Sequence, residues 1–268
     1  DRAGDLFPSK IRSNVARLGR VRLAGYILTS FEGEGALLSA DERSRVWDLS
    51  LEAAEDRPCL ADPSAGGVST AVALSKAAAK AGCRGLWLRA PREYRTTDGT
   101  LFFRSVADRS PLPVVAAIGP GDELRGEAAA ALLDHPNIAA VCYRGADSDW
   151  LAEFAAAGSA PVWAGDERLW ETAWTGGSRT LVSTAAGVTP FHYASIEEAL
   201  RTRELDAASD LIRRALPLAD LLERLGPPAL KHALDLLGGY GGQPRLPLTP
   251  LGAAERSAIA EAVDELRG

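Results

Sequence analysis

The feature that most constrains the fold is a repeated alternation of short apolar segments with longer amphipathic ones. The repeat is roughly 25–30 residues long, which is about the size of one strand with its helix and turns. The short segments are apolar at nearly every position, and this pattern predicts parallel strands that helices cover on both faces. The predicted strands are residues 23–29, 58–61, 85–89, 112–118, 137–144, 161–164 and 179–184.

The segments between these strands carry helix start and stop signals. Ser39 and Glu42 form a capping-box pattern, and Gly82 stands where a glycine commonly ends a helix. Helices are therefore predicted at residues 9–19, 39–55, 68–81, 98–108, 123–133, 150–157 and 167–174. Further helices are predicted after the last strand, at residues 196–202, 205–224, 228–237 and 253–266.

This organisation predicts an α/β fold, and the regular spacing favours a (β/α)8 TIM barrel with a C-terminal helical extension. The predicted boundary divides the chain into a barrel over residues 1–195 and a helical extension over residues 196–268. A doubly wound open sheet is the alternative. Its dinucleotide-binding version has no support, because no Gly-x-Gly-x-x-Gly pattern follows the first predicted strand.

The composition of the chain argues against two classes of partner, nucleic acids and membranes. A net charge of −6 argues against a nucleic-acid surface, which needs excess positive charge. No apolar run reaches membrane-spanning length, and no charged-then-apolar secretory leader is present. The three cysteines cannot all pair, and each lies in or beside an apolar run, so buried free thiols in a reducing compartment are expected. The chain is predicted to be cytoplasmic, without nucleic-acid or membrane partners.

Several short sequence segments, called phrases below, resemble those of the dihydrodipicolinate synthase / N-acetylneuraminate lyase family of class I aldolases. The resemblance is nearest to the family's 4-hydroxy-2-oxoglutarate aldolase-like branch. The phrases occur in the family's order along essentially the whole chain. They are residues 11–18 with 24–28, Gly33-Glu34, Asp108-Arg-Ser-Pro-Leu-Pro-Val-Val115, His135-Pro-Asn-Ile138, Leu230-Lys-His-Ala-Leu234 and Arg245-Leu-Pro-Leu248.

The resemblance implies a (β/α)8 barrel with a C-terminal helical region, assembled as a homodimer or homotetramer and using no cofactor. Residues 1–5 resemble the loop after the family's first strand. That strand is therefore expected to be missing from the sequence as given.

The resemblance also locates the family's chemistry. Members bind a 2-oxo acid as a Schiff base on a lysine, in a phrase that resembles Val-Gly-Ile-Lys-Asp-Ala-Ser-Gly-Asp. Here residues 141–149 read Val-Cys-Tyr-Arg-Gly-Ala-Asp-Ser-Asp, so Arg144 falls on the lysine. A guanidinium stays protonated at physiological pH and cannot form an imine. The chain's lysines, Lys10, Lys76, Lys80 and Lys231, all fall in or beside predicted helices, away from the strand ends where barrel sites are built.

Two further family features differ. Ala117 stands where the family has a proton-relaying tyrosine, and Ser30-Phe31-Glu32 replaces the Gly-Thr-Thr loop that binds the substrate carboxylate. Tyr94 matches a family tyrosine that can reach a neighbouring subunit's site, and a packing role is favoured for it here. These replacements, together with Arg144, predict that Schiff-base aldolase activity has been lost.

Charged and hydroxyl side chains remain at the predicted carboxyl ends of the strands. The candidate ligand-binding residues are Ser30, Glu32, Asp62, Arg89, Asp122, Arg144, Ser183, Thr184 and His192. In one interpretation Arg89 and Arg144 bind a carboxylate or phosphate. In the other, Arg144 pairs with Glu32 or Asp62, and salt bridges close the site.

The histidines support no metal site, because His135, His192 and His232 are scattered along the chain. His192 lies in a predicted loop after the last strand and is either a general base or an ordinary loop or interface residue.

Three functions stay open. In the first, the chain is a non-catalytic homologue that acts as a binding or regulatory protein or evolves without a strong function, and its candidate ligand is an anionic small molecule such as a 2-oxo acid or sugar acid. Alternatively, it is an enzyme with lysine-independent chemistry that uses Glu32 or Asp122 as acid or base. It is an ordinary lyase only if Arg144 does not align with the lysine.

Overall fold

The computed structural model describes residues 5–91, 99–120 and 124–267. The chain forms two compact units. The sheet unit comprises Gly25–Ser30 and Pro58–Val182, and the helical unit comprises Asp1–Ala24, Phe31–Arg57 and Ser183–Gly268.

The sheet unit contains a parallel sheet whose strands follow the order of the chain. Its strands are β1 (Tyr26–Leu28), β2 (Cys59–Ala61), β3 (Gly85–Arg89), β4 (Val114–Ile118), β5 (Ile138–Tyr143) and β6 (Val162–Ala164). Each neighbouring pair is parallel. The connecting helices are α3 (Val68–Ala81), α4 (Gly99–Ala107), α5 (Gly126–Leu133), α6 (Ser148–Ala155) and α7 (Trp170–Thr175). The predicted α/β class with parallel strands is therefore confirmed.

The helical unit contains the remaining helices of the described chain. They are α1 (Pro8–Leu18), α2 (Ala40–Ala53), α8 (Pro190–Thr202), α9 (Leu205–Leu225), α10 (Pro227–Leu236) and α11 (Ala253–Glu265). The predicted capping box at α2 is present, because Ser39 accepts the Glu42 N–H and the Glu42 carboxylate accepts the Ser39 N–H. The predicted helix end at Gly82 is also confirmed, with Gly82 in the left-handed conformation at φ +103°.

The predicted strand at residues 179–184 is wrong as a strand. The described chain forms only an isolated parallel bridge between Leu181 and Ala164 there. Two backbone hydrogen bonds hold this segment beside β6, from Ala164 N–H to Thr180 O and from Val182 N–H to Ala164 O. The chain then turns, because the Ser183 hydroxyl accepts the Ala186 N–H and a 3-10 turn begins at Ala185.

Several helix bounds also differ from prediction. Helix α8 begins at Pro190 rather than at residue 196, with the proline in the first turn, where its missing N–H costs nothing. Helix α6 begins at Ser148 rather than at residue 150, because the Asp147 carboxylate accepts the N–H groups of Asp149 and Trp150. The domain boundary predicted at residue 195 falls inside α8 and stays a prediction.

One face of the sheet is filled by side chains from successive strands. Trp87, Val115, Ala117, Ala140 and Cys142 form a buried cluster, and Ile27, Leu60, Trp163 and Val182 pack against it. Side chains of a strand alternate between its two faces, so the residue two positions beyond each member belongs to the same face. This packed face carries the candidate site at its carboxyl end.

Within the described residues, no helix is both long and apolar enough to cross a lipid bilayer. The three cysteines are buried free thiols, as predicted.

Candidate functional site

Asp62, Arg89 and Arg144 lie on the packed face, at or just beyond the carboxyl ends of their strands. Each of them lies two positions beyond a residue that belongs to this face: Asp62 beyond Leu60, Arg89 beyond Trp87 and Arg144 beyond Cys142. Arg89 is in register with Ala117, which is in register with Cys142. Because one strand separates β3 from β5, their backbones are about 10 Å apart. Two arginine side chains can converge on one anion across that distance.

Asp62 and Arg89 are joined by a buried network. The Asp62 side chain is only 2% exposed, and its Oδ2 lies 3.7 Å from Nε of Arg89. Asp62 Oδ1 accepts the Ser64 N–H at 2.8 Å, and the Ser64 hydroxyl accepts the Arg89 N–H at 3.0 Å. The carboxylate therefore fixes both the loop after β2 and the arginine at the end of β3. The Arg89 side chain retains 30% exposure, so its head can still contact a ligand.

Thr29, at the end of β1, has a strained backbone. Its φ is +56°, in the left-handed region that a β-branched residue rarely adopts. The side chain is buried, and its hydroxyl donates to Leu28 O at 2.7 Å and more weakly to Asp62 O at 3.4 Å. Strain of this kind persists only where surrounding contacts hold it, and it is concentrated at binding sites. The strained residue lies beside Asp62.

Arg144 follows β5 directly and is half-buried. Its N–H donates to Ile118 O at 2.8 Å, which continues the pairing of β5 with β4. The aliphatic part of its side chain, called the stem below, passes Gly165, whose N–H donates to Tyr143 O at 2.7 Å. Only glycine fits at position 165, because a Cβ there would lie 2.9 Å from both Arg144 Cγ and Cys142 Sγ.

An aromatic stack lies next to Arg144. The ring of Tyr143 stacks on Trp150 at 4.2 Å between centroids, and Trp150 stacks on Phe154 at 4.5 Å. Gly145 makes room for the Tyr143 ring, since a Cβ at Gly145 would meet its hydroxyl and ring atoms. Trp150 and Phe154 also line a cleft of about 140 Å³. The stack fixes the backbone on both sides of Arg144.

The thiols near this site are not nucleophiles. Burial raises the pKa of Cys142 to about 12, although the positive charge of Arg144 lowers it in part. Burial likewise raises the pKa of Cys59 to about 11. Both thiols are therefore protonated at neutral pH, and covalent chemistry on sulfur has no support.

The helical unit holds the candidate residues Glu32, Ser183, Thr184 and His192. Glu32, Ser183 and Thr184 are half-buried, and the Ser183 hydroxyl caps the turn that follows it. His192 lies in helix α8 and not in a loop, so the predicted loop position is wrong. Its Nε2 lies 2.8 Å from Leu211 O, and burial lowers its pKa. His192 joins α8 to α9.

Two residues singled out from the sequence, Asp122 and Tyr94, lie outside the described residues. Ser30 is half-buried in the sheet unit. Among the described residues, no group of three or more His, Cys, Asp or Glu side chains could hold a metal ion.

A buried network in the helical unit was not predicted. Glu34 is only 6% exposed, and its carboxylate accepts Lys231 Nζ at 2.8 Å and the Arg245 N–H at 3.0 Å. The Arg245 guanidinium binds Glu42 and donates to Leu37 O. Glu34, Lys231 and Arg245 each lie in a family-like phrase, which is the signal that could have found them. The network attaches the segment after Phe31 to the C-terminal region.

Parallel strand–helix units with polar residues at the strand carboxyl ends define an α/β-barrel protein of the kind that builds its site on that edge. The chain belongs to the dihydrodipicolinate synthetase family, whose sequence profile matches residues 2–266.

Individual proteins agree with this assignment. The chain is 29% identical over 273 residues to 4-hydroxy-tetrahydrodipicolinate synthase of Methanothrix thermoacetophila, covering 98% of this chain and 92% of the relative. It is 31% identical over 247 residues to 4-hydroxy-tetrahydrodipicolinate synthase 1 of Streptomyces coelicolor, covering 88% and 78%.

Solved structures share the fold. Dihydrodipicolinate synthase of Bacillus anthracis superimposes with a TM-score of 0.91 at 23% identity, covering 98% of this chain and 94% of that one. The enzyme of Cyanidioschyzon merolae, solved with lysine bound, gives a TM-score of 0.88 at 22% identity, covering 98% and 93%. The predicted TIM-barrel class is thereby confirmed.

Proposed function

We propose that this protein has lost Schiff-base aldolase activity and binds a small anionic molecule, a 2-oxo acid or a sugar acid, at the carboxyl ends of the strands. The observation that carries the proposal is Arg144, directly after β5, in the phrase that resembles the family's lysine phrase. An arginine cannot supply the neutral amine that imine formation requires.

The surroundings of the lysines support the proposal. Lys10, Lys76 and Lys80 are exposed on helices. Lys10 lies over the rings of Phe7 and Tyr240, at 6.0 and 5.4 Å from their centroids. Lys231 forms an ion pair with the buried Glu34 at 2.8 Å and also donates to Gln243 O at 2.7 Å. Each lysine thus lies on a solvent-exposed helix or in a structural ion pair.

The geometry of the sheet unit supports anion binding. Arg89 and Arg144 share one face at the carboxyl edge, and guanidinium groups match the planar geometry of carboxylates. The buried Asp62 holds Arg89 in place without covering it completely. A planar carboxylate is therefore the group that this edge would recognise.

Borohydride reduction in the presence of pyruvate tests the loss of Schiff-base chemistry. We expect no mass increase on the protein, while Arg144→Lys, as a matched variant, should gain one reduced pyruvate adduct. An adduct on the unmodified chain would contradict the proposal, and peptide mapping would then identify the reacting lysine.

Ligand binding is tested by thermal unfolding with pyruvate, 2-oxoglutarate and gluconate. A ligand that binds only the folded state raises the melting temperature. We expect Arg144→Ala to abolish the shift and Arg125→Ala, which removes an exposed arginine paired with Glu153, to keep it. No shift with any compound would contradict the binding part of the proposal.

A second candidate function is lysine-independent catalysis on an anionic substrate. The pair formed by the buried Asp62 and the partly exposed Arg89 favours it, because an arginine can hold an anion beside a carboxylate that acts as a general base. Glu32 and Asp122 stay candidates for the acid or base. Turnover of a bound compound that survives Arg144→Lys but not Asp62→Asn would favour this function.

The finer assignments belong to the proposal as well. We place the chain nearest the 4-hydroxy-2-oxoglutarate aldolase-like branch and expect a cytoplasmic homodimer or homotetramer. One relative has been solved with lysine bound, and the study of another describes a monomeric variant. Lysine therefore belongs among the compounds to be screened, and the oligomeric state should be measured by light scattering.

A further inference from the structure

Arg17, near the end of α1 in the helical unit, is a half-buried guanidinium with few hydrogen bonds. Its Nη2 donates to Gly187 O over a long distance of 3.4 Å. Its Nε is shielded from solvent and has no acceptor. A buried N–H of a charged group without an acceptor is costly, so the position calls for an explanation.

The charged neighbour that acts on Arg17, Arg20, is also positive. Across residues 5–91, 99–120 and 124–267, no carboxylate forms an ion pair with Arg17, whereas Arg12 on the same helix binds Glu52 at 2.6 Å. Burial lowers the pKa of Arg17, and the like charge of Arg20 lowers it further. The contrast with Arg12 shows that α1 can pair an arginine with an acid and does not do so at Arg17.

Backbone carbonyl groups at the C-terminal end of α1 already accept hydrogen bonds from another arginine. Arg57 Nη2 donates to Gly19 O at 2.8 Å and to Val21 O at 3.1 Å, which binds a cation to the negative end of the helix. Arg17 therefore does not serve as the cap of its own helix.

We propose that Arg17 and Arg20 form a binding site for a small oxyanion, the carboxylate or phosphate group of a metabolite. An anion there would accept hydrogen bonds from the Arg17 head, offset its repulsion with Arg20 and neutralise a charge that burial disfavours. The site lies wholly in the helical unit, and it does not depend on Arg144.

Titration calorimetry of the full chain tests the site, with inorganic phosphate in one arm and acetate in the other at constant ionic strength. We expect Arg17→Gln to raise the dissociation constant roughly tenfold or more, the range for a hydrogen bond to a charged group. Arg20→Gln should raise it roughly threefold, as for an exposed charge. Arg12→Gln, which removes the same charge from the same helix, should leave it unchanged.

Binding of phosphate alone identifies a phosphate group, and binding of both anions shows that a carboxylate suffices. Absence of binding in both arms, or equal effects of Arg17→Gln and Arg12→Gln, would overturn the proposal. If Arg17→Gln fails to fold, Arg20→Gln, at an exposed residue, provides the test. An unchanged dissociation constant in that variant would overturn the proposal.

Discussion

A Cβ atom on Gly165 would lie 2.9 Å from Cγ of Arg144. The same atom would lie 2.7 Å from Tyr143 O and 2.9 Å from Cys142 Sγ, closer than real side chains approach. The stem of Arg144 therefore passes the end of β6 only because residue 165 has no side chain.

We expect Gly165→Ala to destabilise the protein by roughly 1–3 kcal/mol, the usual cost of overpacking a close contact. It should also weaken any ligand-induced thermal shift, because the alanine displaces the Arg144 stem. Urea unfolding measures the first effect. Gly66→Ala is the control, since a Cβ there meets nothing within 4 Å. Equal unfolding midpoints for the two variants would show that the backbone moves freely at Gly165.

Asp62→Asn should isolate the charge of the Asp62–Arg89 pair. An asparagine oxygen can still accept the Ser64 N–H, so the main loss is the carboxylate 3.7 Å from Arg89. Because Arg89 is partly exposed, we expect a loss of about 1–3 kcal/mol rather than the full cost of breaking a buried pair. A double-mutant cycle with Arg89→Gln, followed by urea unfolding, gives the coupling energy. Additive losses would mean that the two side chains do not interact.

Lys231→Met should leave the buried Glu34 carboxylate without its ammonium partner. We expect a loss of about 2–4 kcal/mol, since the Arg245 N–H still donates to this carboxylate. The free energy of unfolding in urea measures the loss. Adding Glu34→Gln should recover much of it, because the amide carries no charge. Lys80→Met, at an exposed lysine of α3, is the matched control, and a similar loss there would contradict the role of the ion pair.

His192 should make the stability depend on pH. Burial lowers its pKa in the folded state, so the unfolded chain takes up the proton first as the pH falls. The neutral form favours folding fully above the ordinary histidine pKa of about 6.5, and stability is lost as the pH decreases below that value. Urea midpoints at about pH 7.5 and 5.5 should fall more in the unsubstituted chain than in His192→Gln. Equal decreases would assign the pH dependence to other groups.

The sheet could be predicted well because its signals are local. Fully apolar segments indicated the six paired strands, and the Ser39–Glu42 box and Gly82 indicated helix ends. The last apolar segment failed as a strand, because its pairing with β6 is limited to one bridge at Ala164 and the chain turns at Ser183. The apolar composition of the segment gives no sign of that turn.

The site could be predicted only in part. Residues at or just beyond the ends of apolar strands, such as Asp62, Arg89 and Arg144, could be assigned to the carboxyl edge from their place in the chain. The left-handed backbone conformation of Thr29 could not be predicted from the sequence, because threonine disfavours that conformation and the surrounding contacts impose it. The Glu34–Lys231 pair joins residues far apart in the chain, and only the folded structure brings them together.

The stack of Tyr143, Trp150 and Phe154 has a spectroscopic consequence. Closely stacked rings held in a fixed asymmetric arrangement give a distinctive near-ultraviolet circular dichroism signal, which disappears when tertiary packing is lost. Because Tyr143 is the chain neighbour of Arg144, this signal reports on the backbone that carries the arginine. The chain therefore contains its own optical reporter for this edge of the sheet, and no label is needed to follow it.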